Sequence, residues 1–215
     1  MGAWIDISRR LSPATPPWPG DVPFSQTWTQ RTDHGDSVNC SAFRQSAHVG
    51  THADAPRHVT ANGATTDAWG LSPFMGPADV VVVPPDTRYV TPEHLHKTTT
   101  PRILLKTECS SRPSAQWTAS FPALSVDAVQ WMQNHDVVLM GTDAPSVDPA
   151  NSTTLDAHHA LNNAGIVNLE NLRLGSVVAG TYTLIALPMP LAQSDAAPVR
   201  AVLHPAADLL NASTL

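Results

Sequence analysis

Charge is scarce in this sequence. Only 14% of the residues are Asp, Glu, Lys or Arg, the formal net charge is −6, and no run of Lys or Arg occurs anywhere. Nucleic acids and anionic membranes are bound by clustered cations, so neither partner class has a surface to rest on. Cysteine is nearly absent. Cys40 and Cys109 are the only two, which excludes a disulfide framework, and they read as ordinary buried thiols. Long apolar runs are also missing. The longest aliphatic stretch, Val80 to Val83, is far short of the roughly 20 residues that span a bilayer. The opening MGAWIDISRR lacks the apolar segment of a signal peptide. The expectation is a soluble, cytoplasmic protein.

Against these absences stand 215 residues with 42% hydrophobic content and 20 prolines. That is enough to bury a real core, and it suits one domain covering residues 1–215. Many prolines with few charges describe a compact chain with long, stiff loops rather than a helical bundle. Trp4 to Ser8 alternates apolar and polar side chains as a half-buried strand does. Ala78 to Val83, Arg102 to Thr107 and Asp136 to Thr142 are short apolar runs of the buried-strand kind. Ser176 to Pro188 and Val199 to Leu203 complete the set. Ser125 to Asn134 predicts an amphipathic helix with Ser125 as N-cap and Val126, Val129, Trp131 and Met132 inward. Thr154 to Asn163 predicts a second helix, and Thr91 to Lys97 a shorter one with Pro at its first position. The order strand, helix, strand over residues 102–142 implies a crossover in a mixed sheet. The fold class is therefore α/β, a strand-rich mixed, barrel-like sheet with few helices.

Ten histidines in 215 residues would put about half a histidine in an eleven-residue window, yet His48 to His58 holds three, with Asp54 among them. The even positions of HVGTHADAPRH share parity, so an extended chain would aim them to one side. Full extension, however, would hold His48 and His52 roughly 13 Å apart. Two imidazoles on one metal need nitrogens within a few ångströms, because each bond is only about 2.0–2.1 Å. The chain must bend. Gly50 sits where a bend can use backbone conformations closed to other residues, while Pro56 fixes its own φ and biases Ala55 toward extension. Imidazole and carboxylate donors without thiolate suit Zn²⁺, Mn²⁺ or Fe²⁺ in a site left open to substrate.

HVGTHADAPRH resembles the HxGTHxDxPxH signature of the cyclase-type metal hydrolases. PPWPGDVPF (Pro16 to Phe24), GTDAPSVDP (Gly141 to Pro149) and the pairing of HH at 158–159 with ENLRL from Glu170 resemble the bacterial kynurenine formamidase branch of that family. Ala144 departs from the Thr that many relatives carry. The resemblance implies that His48, His52 and Asp54 are metal ligands and that His58 is the general acid/base. It adds His158 and Glu170 as the remaining ligands of a two-zinc centre, with His159 competing for the place given to His158. Trp18 would contact the aromatic part of the substrate. Asp143 stays open between a residue that supports the ligands and a turn former.

The implied fold is the swivelling β/β/α type. The implied reaction is hydrolysis of N-formyl-L-kynurenine to L-kynurenine and formate in tryptophan degradation, with hydroxide supplied at the metal as nucleophile. The implied cofactor is Zn²⁺, two per subunit, or Mn²⁺ or another divalent ion, and the implied assembly is a homodimer. Two alternatives remain: a related hydrolase opening a cyclic amide such as isatin, and a non-catalytic metal- or ligand-binding protein.

Overall fold

The structure is a computed structural model that describes residues 3–113 and 116–205. In chain order it begins with β1 (Ile5–Asp6), β2 (Ser25–Gln30), β3 (Cys40–Arg44) and β4 (His52–Asp54). Next come β5 (Met75–Val82), β6 (Tyr89–Val90), β7 (Arg102–Lys106) and β8 (Ala123–Leu124). Helix α1 (Val126–Asn134), β9 (Leu139–Thr142), helix α2 (Asp156–Ala164) and β10 (Val167–Glu170) follow. The order closes with β11 (Gly180–Ile185), β12 (Ala196–Pro198) and β13 (Val202–His204).

Nine strands form one curled, mixed sheet in the order β1-β13-β11-β5-β7-β9-β10-β4-β12. Its centre is parallel, with β5, β7, β9 and β10 side by side. The chain crosses from β7 to β9 through α1 and from β9 to β10 through α2, as parallel neighbours require. Ile103, Leu105 and Met140 pack on the helix side with Ala128, Val129, Met132 and Leu161. Leu104, Leu139 and Leu169 belong to the opposite core with Phe74, Leu172, Leu184 and Leu203. Burial on both faces explains why these strands read as unbroken apolar runs rather than as alternation.

The expected α/β class and the crossover over 102–142 are both present, while several boundaries differ. The Ser125 side chain accepts a hydrogen bond from the Ala128 N–H, as its N-cap role predicts, and Val129 and Met132 are buried. Val126 is exposed and Trp131 half-buried, because the buried stripe of this short helix begins at Ala128. The segment 91–97 forms only a 3₁₀ turn over Pro92–His94, closed by a reciprocal bond between Thr91 and the His94 ring. Ser176 to Pro188 is a strand only from Gly180, and Val199 to Leu203 yields a strand only from Val202. Cys109 is buried as expected, but Cys40 is exposed. It lies on the β2–β3 hairpin, whose strand residues are all exposed. Among the described residues no helix is long and apolar enough to cross a membrane.

Candidate metal centre

The cluster is assembled by strand register. In β4, His52 and Asp54 are two residues apart and so share a face. Antiparallel pairing with β10 sets Glu170 opposite His52 and Asn168 opposite Asp54, which brings two carboxylates and an imidazole together. His48 reaches the same place from the preceding loop because the chain bends at Gly50, whose φ of 78° lies in the left-handed region. Ala55 is extended ahead of Pro56, and the turn Pro56–His58 carries the His58 ring back over the cluster. His158 enters from the first turn of α2, where it is buried, while its neighbour His159 is exposed.

The separations are short. His48 Nδ1 lies 3.2 Å and His52 Nε2 3.3 Å from Asp54 Oδ1. His52 Nε2 is 3.5 Å from Glu170 Oε2. On the other side, His158 Nε2 is 3.6 Å from Asp54 Oδ2 and 3.4 Å from Glu170 Oε1. Each carboxylate therefore turns one oxygen toward His52 and the other toward His158. Asn168 Nδ2 donates to Asp54 Oδ2 and to Glu170 Oε1, both at 2.9 Å, and ties the two groups together.

The donor set fits a divalent ion. His52 Nε2 and Asp54 Oδ1 are buried polar atoms with no hydrogen-bond partner, an arrangement that costs about 1–3 kcal/mol per group unless something else satisfies them. Donors bound tetrahedrally at about 2.1 Å lie about 3.4 Å from one another, close to the spacings found. The charge balance agrees. Burial alone would lower the pKa of each imidazole, yet the facing carboxylates outweigh it. They lift His48 to about 9, through Asp195 and Asp54, and His52 to about 10, through Asp54 and Glu170. The buried carboxylates thus draw positive charge into the cluster, a demand that a cation meets directly. Among the described residues two overlapping donor groups are present, His48 with Asp54 and His58, and His52 with Asp54 and Glu170.

His58 lies on the open side, its ring centroid 4.3 Å from that of His48 and 5.6 Å from that of His158. Burial holds its pKa below the ordinary histidine value. The cluster opens into a cavity of about 480 Å³ whose wall includes Arg9, Trp18, Trp117, His58, Glu170 and Asp195. Trp18 stands edge-on to Trp117 at 5.5 Å and to Phe121 at 6.5 Å. Its packing role and its place on the cavity wall coexist.

Asp143 is buried and lines the cavity. It accepts from the Thr107 N–H, the Thr107 hydroxyl and the Ser110 N–H, and burial raises its pKa. It fastens the loop after β7. Sequence reasoning missed three residues that touch the cluster: Asn168, Asp148 and Asp195. Asp195 Oδ2 lies 3.1 Å from His48 Nε2 and 3.6 Å from His58 Nδ1. Only Asp148 carried a signal, as the second acid of GTDAPSVDP.

The turn that aims His58 packs closely against Gly63. A methyl group at Gly63 would stand 2.5 Å from the Pro56 carbonyl oxygen and 2.6 Å from the Arg57 nitrogen, so the backbone of the turn would have to move. Gly63→Ala is expected to destabilise the protein by about 1–3 kcal/mol, the usual range for overpacking, and to lower kcat by shifting His58. Thermal melting together with steady-state kinetics checks this; wild-type kcat with a lowered melting temperature would confine Gly63 to a packing role.

Residues 5–149 match the family model of the cyclases, described as "Putative cyclase". Over 210 residues the chain is 48% identical to a kynurenine formamidase of Salinibacter ruber, covering 96% of this chain and 99% of that protein. The fold is shared with a predicted metal-dependent hydrolase from Bacillus stearothermophilus, with a TM-score of 0.80, 25% identity, and coverage of 94% of this chain and 98% of that one. It is also shared with isatin hydrolase A from Labrenzia aggregata, with a TM-score of 0.79, 22% identity, and coverage of 94% of this chain and 93% of that one.

Proposed function

The chain belongs to the cyclase family, and from that premise we propose that it is a metal-dependent kynurenine formamidase, hydrolysing N-formyl-L-kynurenine to L-kynurenine and formate. The observation that carries this reading is 48% identity to a kynurenine formamidase over nearly the whole of both chains, joined to a cluster in which every donor required by the signature is present. The likeness to isatin hydrolase, at 22% identity, is one of fold and does not favour the cyclic amide.

His48, His52, Asp54, His158 and Glu170 hold the metal, with Asp54 and Glu170 reaching both halves of the cluster. A divalent ion bound there supplies a water of lowered pKa and a Lewis acid for the carbonyl oxygen. His58, poised on the cavity side and not required as a donor, takes a proton from the attacking water and returns it to the leaving aryl amine. Asp195, on the same cavity wall, places a carboxylate oxygen 3.6 Å from His58 Nδ1. Trp18 and Trp117 give the aminophenyl ring an aromatic wall and exclude water from one flank of the reacting amide. Imidazole and carboxylate donors without thiolate favour zinc, two per subunit, and also accommodate manganese. The reading extends to a homodimer in the cytoplasm; the exposed strands β2 and β3, with Trp28 and Phe43 outward, offer a face to a second copy.

The direct test is loss of N-formylkynurenine absorbance, run beside isatin ring opening. Turnover of the formamide with little action on isatin supports the reading. Isatin opened while the formamide persists makes the chain a cyclic-amide hydrolase, and metal binding without turnover of either makes it a binding protein. Trp18→Ala is expected to raise KM about twofold to twelvefold with a smaller change in kcat, since the ring contact, worth about 0.5–1.5 kcal/mol, is shared by ground and transition states. An unchanged KM would return Trp18 to its packing with Trp117 and Phe121.

A further inference from the structure

His158 is held from behind by one buried carboxylate. Its Nδ1 lies 2.6 Å from Asp148 Oδ2, and that oxygen also accepts the His158 backbone N–H at 3.0 Å. Asp148 Oδ1 accepts the Ala157 N–H at 3.0 Å. Both amides belong to the first turn of α2, which lacks an intrahelical partner for them. The residue at the cap position cannot supply one: Leu155 has an apolar side chain and a left-handed backbone with φ of 50°. Asp148, brought in on the loop after β9, takes over the cap. Its own place is fixed by its backbone N–H, which donates to Ser146 Oγ at 3.2 Å.

A carboxylate only accepts hydrogen bonds. Asp148 therefore keeps a proton on His158 Nδ1, and the lone pair of a neutral ring is left on Nε2, the atom that faces Asp54 and Glu170. The other two imidazoles are oriented differently. His52 Nδ1 donates to the Gly50 carbonyl at 2.9 Å, and His48 Nε2 faces Asp195, a carboxylate whose side chain is 48% exposed. The Asp148 side chain is 5% exposed, where a charged hydrogen bond is least screened. We propose that Asp148 is the positioning residue for the His158–Glu170 half of the metal centre. It fixes the tautomer and aim of His158 while locking that ring to the start of α2. The inference rests on reading the cluster as a metal centre.

One consequence is asymmetry between the two ion sites. Loss of a carboxylate that orients a ligating histidine weakens metal binding about 10- to 100-fold, and here only the half that contains His158 should suffer. The test titrates metal-free protein with Zn²⁺ against a competing chelator and follows the melting temperature of the metal-free form. Wild type should bind two ions. Asp148→Ala should bind one with wild-type affinity and the other 10- to 100-fold more weakly. Asp148→Asn, whose amide oxygen still accepts but carries no charge, should fall between them at the same site, and it serves if the alanine variant does not fold. Nitrogen-15 NMR of the zinc-loaded protein should show His158 protonated at Nδ1 in wild type and a mixed state in Asp148→Ala. Two undiminished sites in both variants would overturn the proposal alone. Equal weakening of both sites, in step with a lower melting temperature, would reduce Asp148 to a helix cap and also overturn it. A wild-type protein that binds no zinc would instead sink the metal-centre reading, and this inference with it.

Discussion

Asp54→Ala is expected to lose metal from both halves of the centre and to lower turnover at least about 10³-fold, equivalent to some 4 kcal/mol of transition-state stabilisation. The size follows from the position of the carboxylate. Its Oδ1 faces His48 Nδ1 and His52 Nε2, while its Oδ2 faces His158 Nε2 and the Asn168 amide. Among the described residues no other side chain touches all three imidazoles, and Glu170 approaches His52 and His158. Removing Asp54 also takes away one of the two buried negative charges that make the cluster attractive to a cation. Elemental analysis of the purified variant beside its turnover gives the answer. A variant that keeps full metal and activity would show that Asp54 does not join the two halves.

His58→Ala should behave in the opposite way toward metal. Five donors remain without it, so the ions stay, while turnover falls about 10²- to 10⁴-fold through loss of the proton relay. The ring is suited to that work. It borders the cavity, Asp195 lies 3.6 Å from its Nδ1, and burial lowers its pKa so that it is neutral at neutral pH and free to accept a proton. Its closeness to His48 and Asp54 makes the alternative concrete, because these three also form a donor group. Loss of an ion from His58→Ala would move it from proton carrier to ligand. The two variants together therefore separate holding metal from moving protons, within a segment of eleven residues.

Much of the site was legible because its core is local. His48, His52, Asp54 and His58 sit in one segment, and the bend at Gly50 and the extension at Ala55 follow from residue type alone. The central strands were legible for a related reason: burial on both faces leaves unbroken apolar runs, and the Ser125 cap announces α1. What escaped depends on register between distant segments. Asn168 meets Asp54 only because β10 pairs antiparallel with β4 in one register. Asp195 reaches His48 across 147 residues of chain because β12 pairs along the other edge of β4. Neither β4 nor β12, at three residues each, carries a periodicity long enough to read. The β2–β3 hairpin escaped because all of its strand residues are exposed, so no face of it is marked by apolar alternation.

His158 shows the same division. Sequence left it in competition with His159; the helix turns one ring into the cluster and its neighbour to solvent. A helical face is decided by packing, and α2 packs beside α1 and β10, which buries Ala157, His158 and Leu161 together.

The most direct test of the whole account is hydrolysis of N-formyl-L-kynurenine by protein stripped of metal and then reloaded. Chelator treatment should remove the ions and abolish turnover, and Zn²⁺ should restore both with a stoichiometry near two per chain. Undiminished hydrolysis by protein shown by elemental analysis to be metal-free would contradict it.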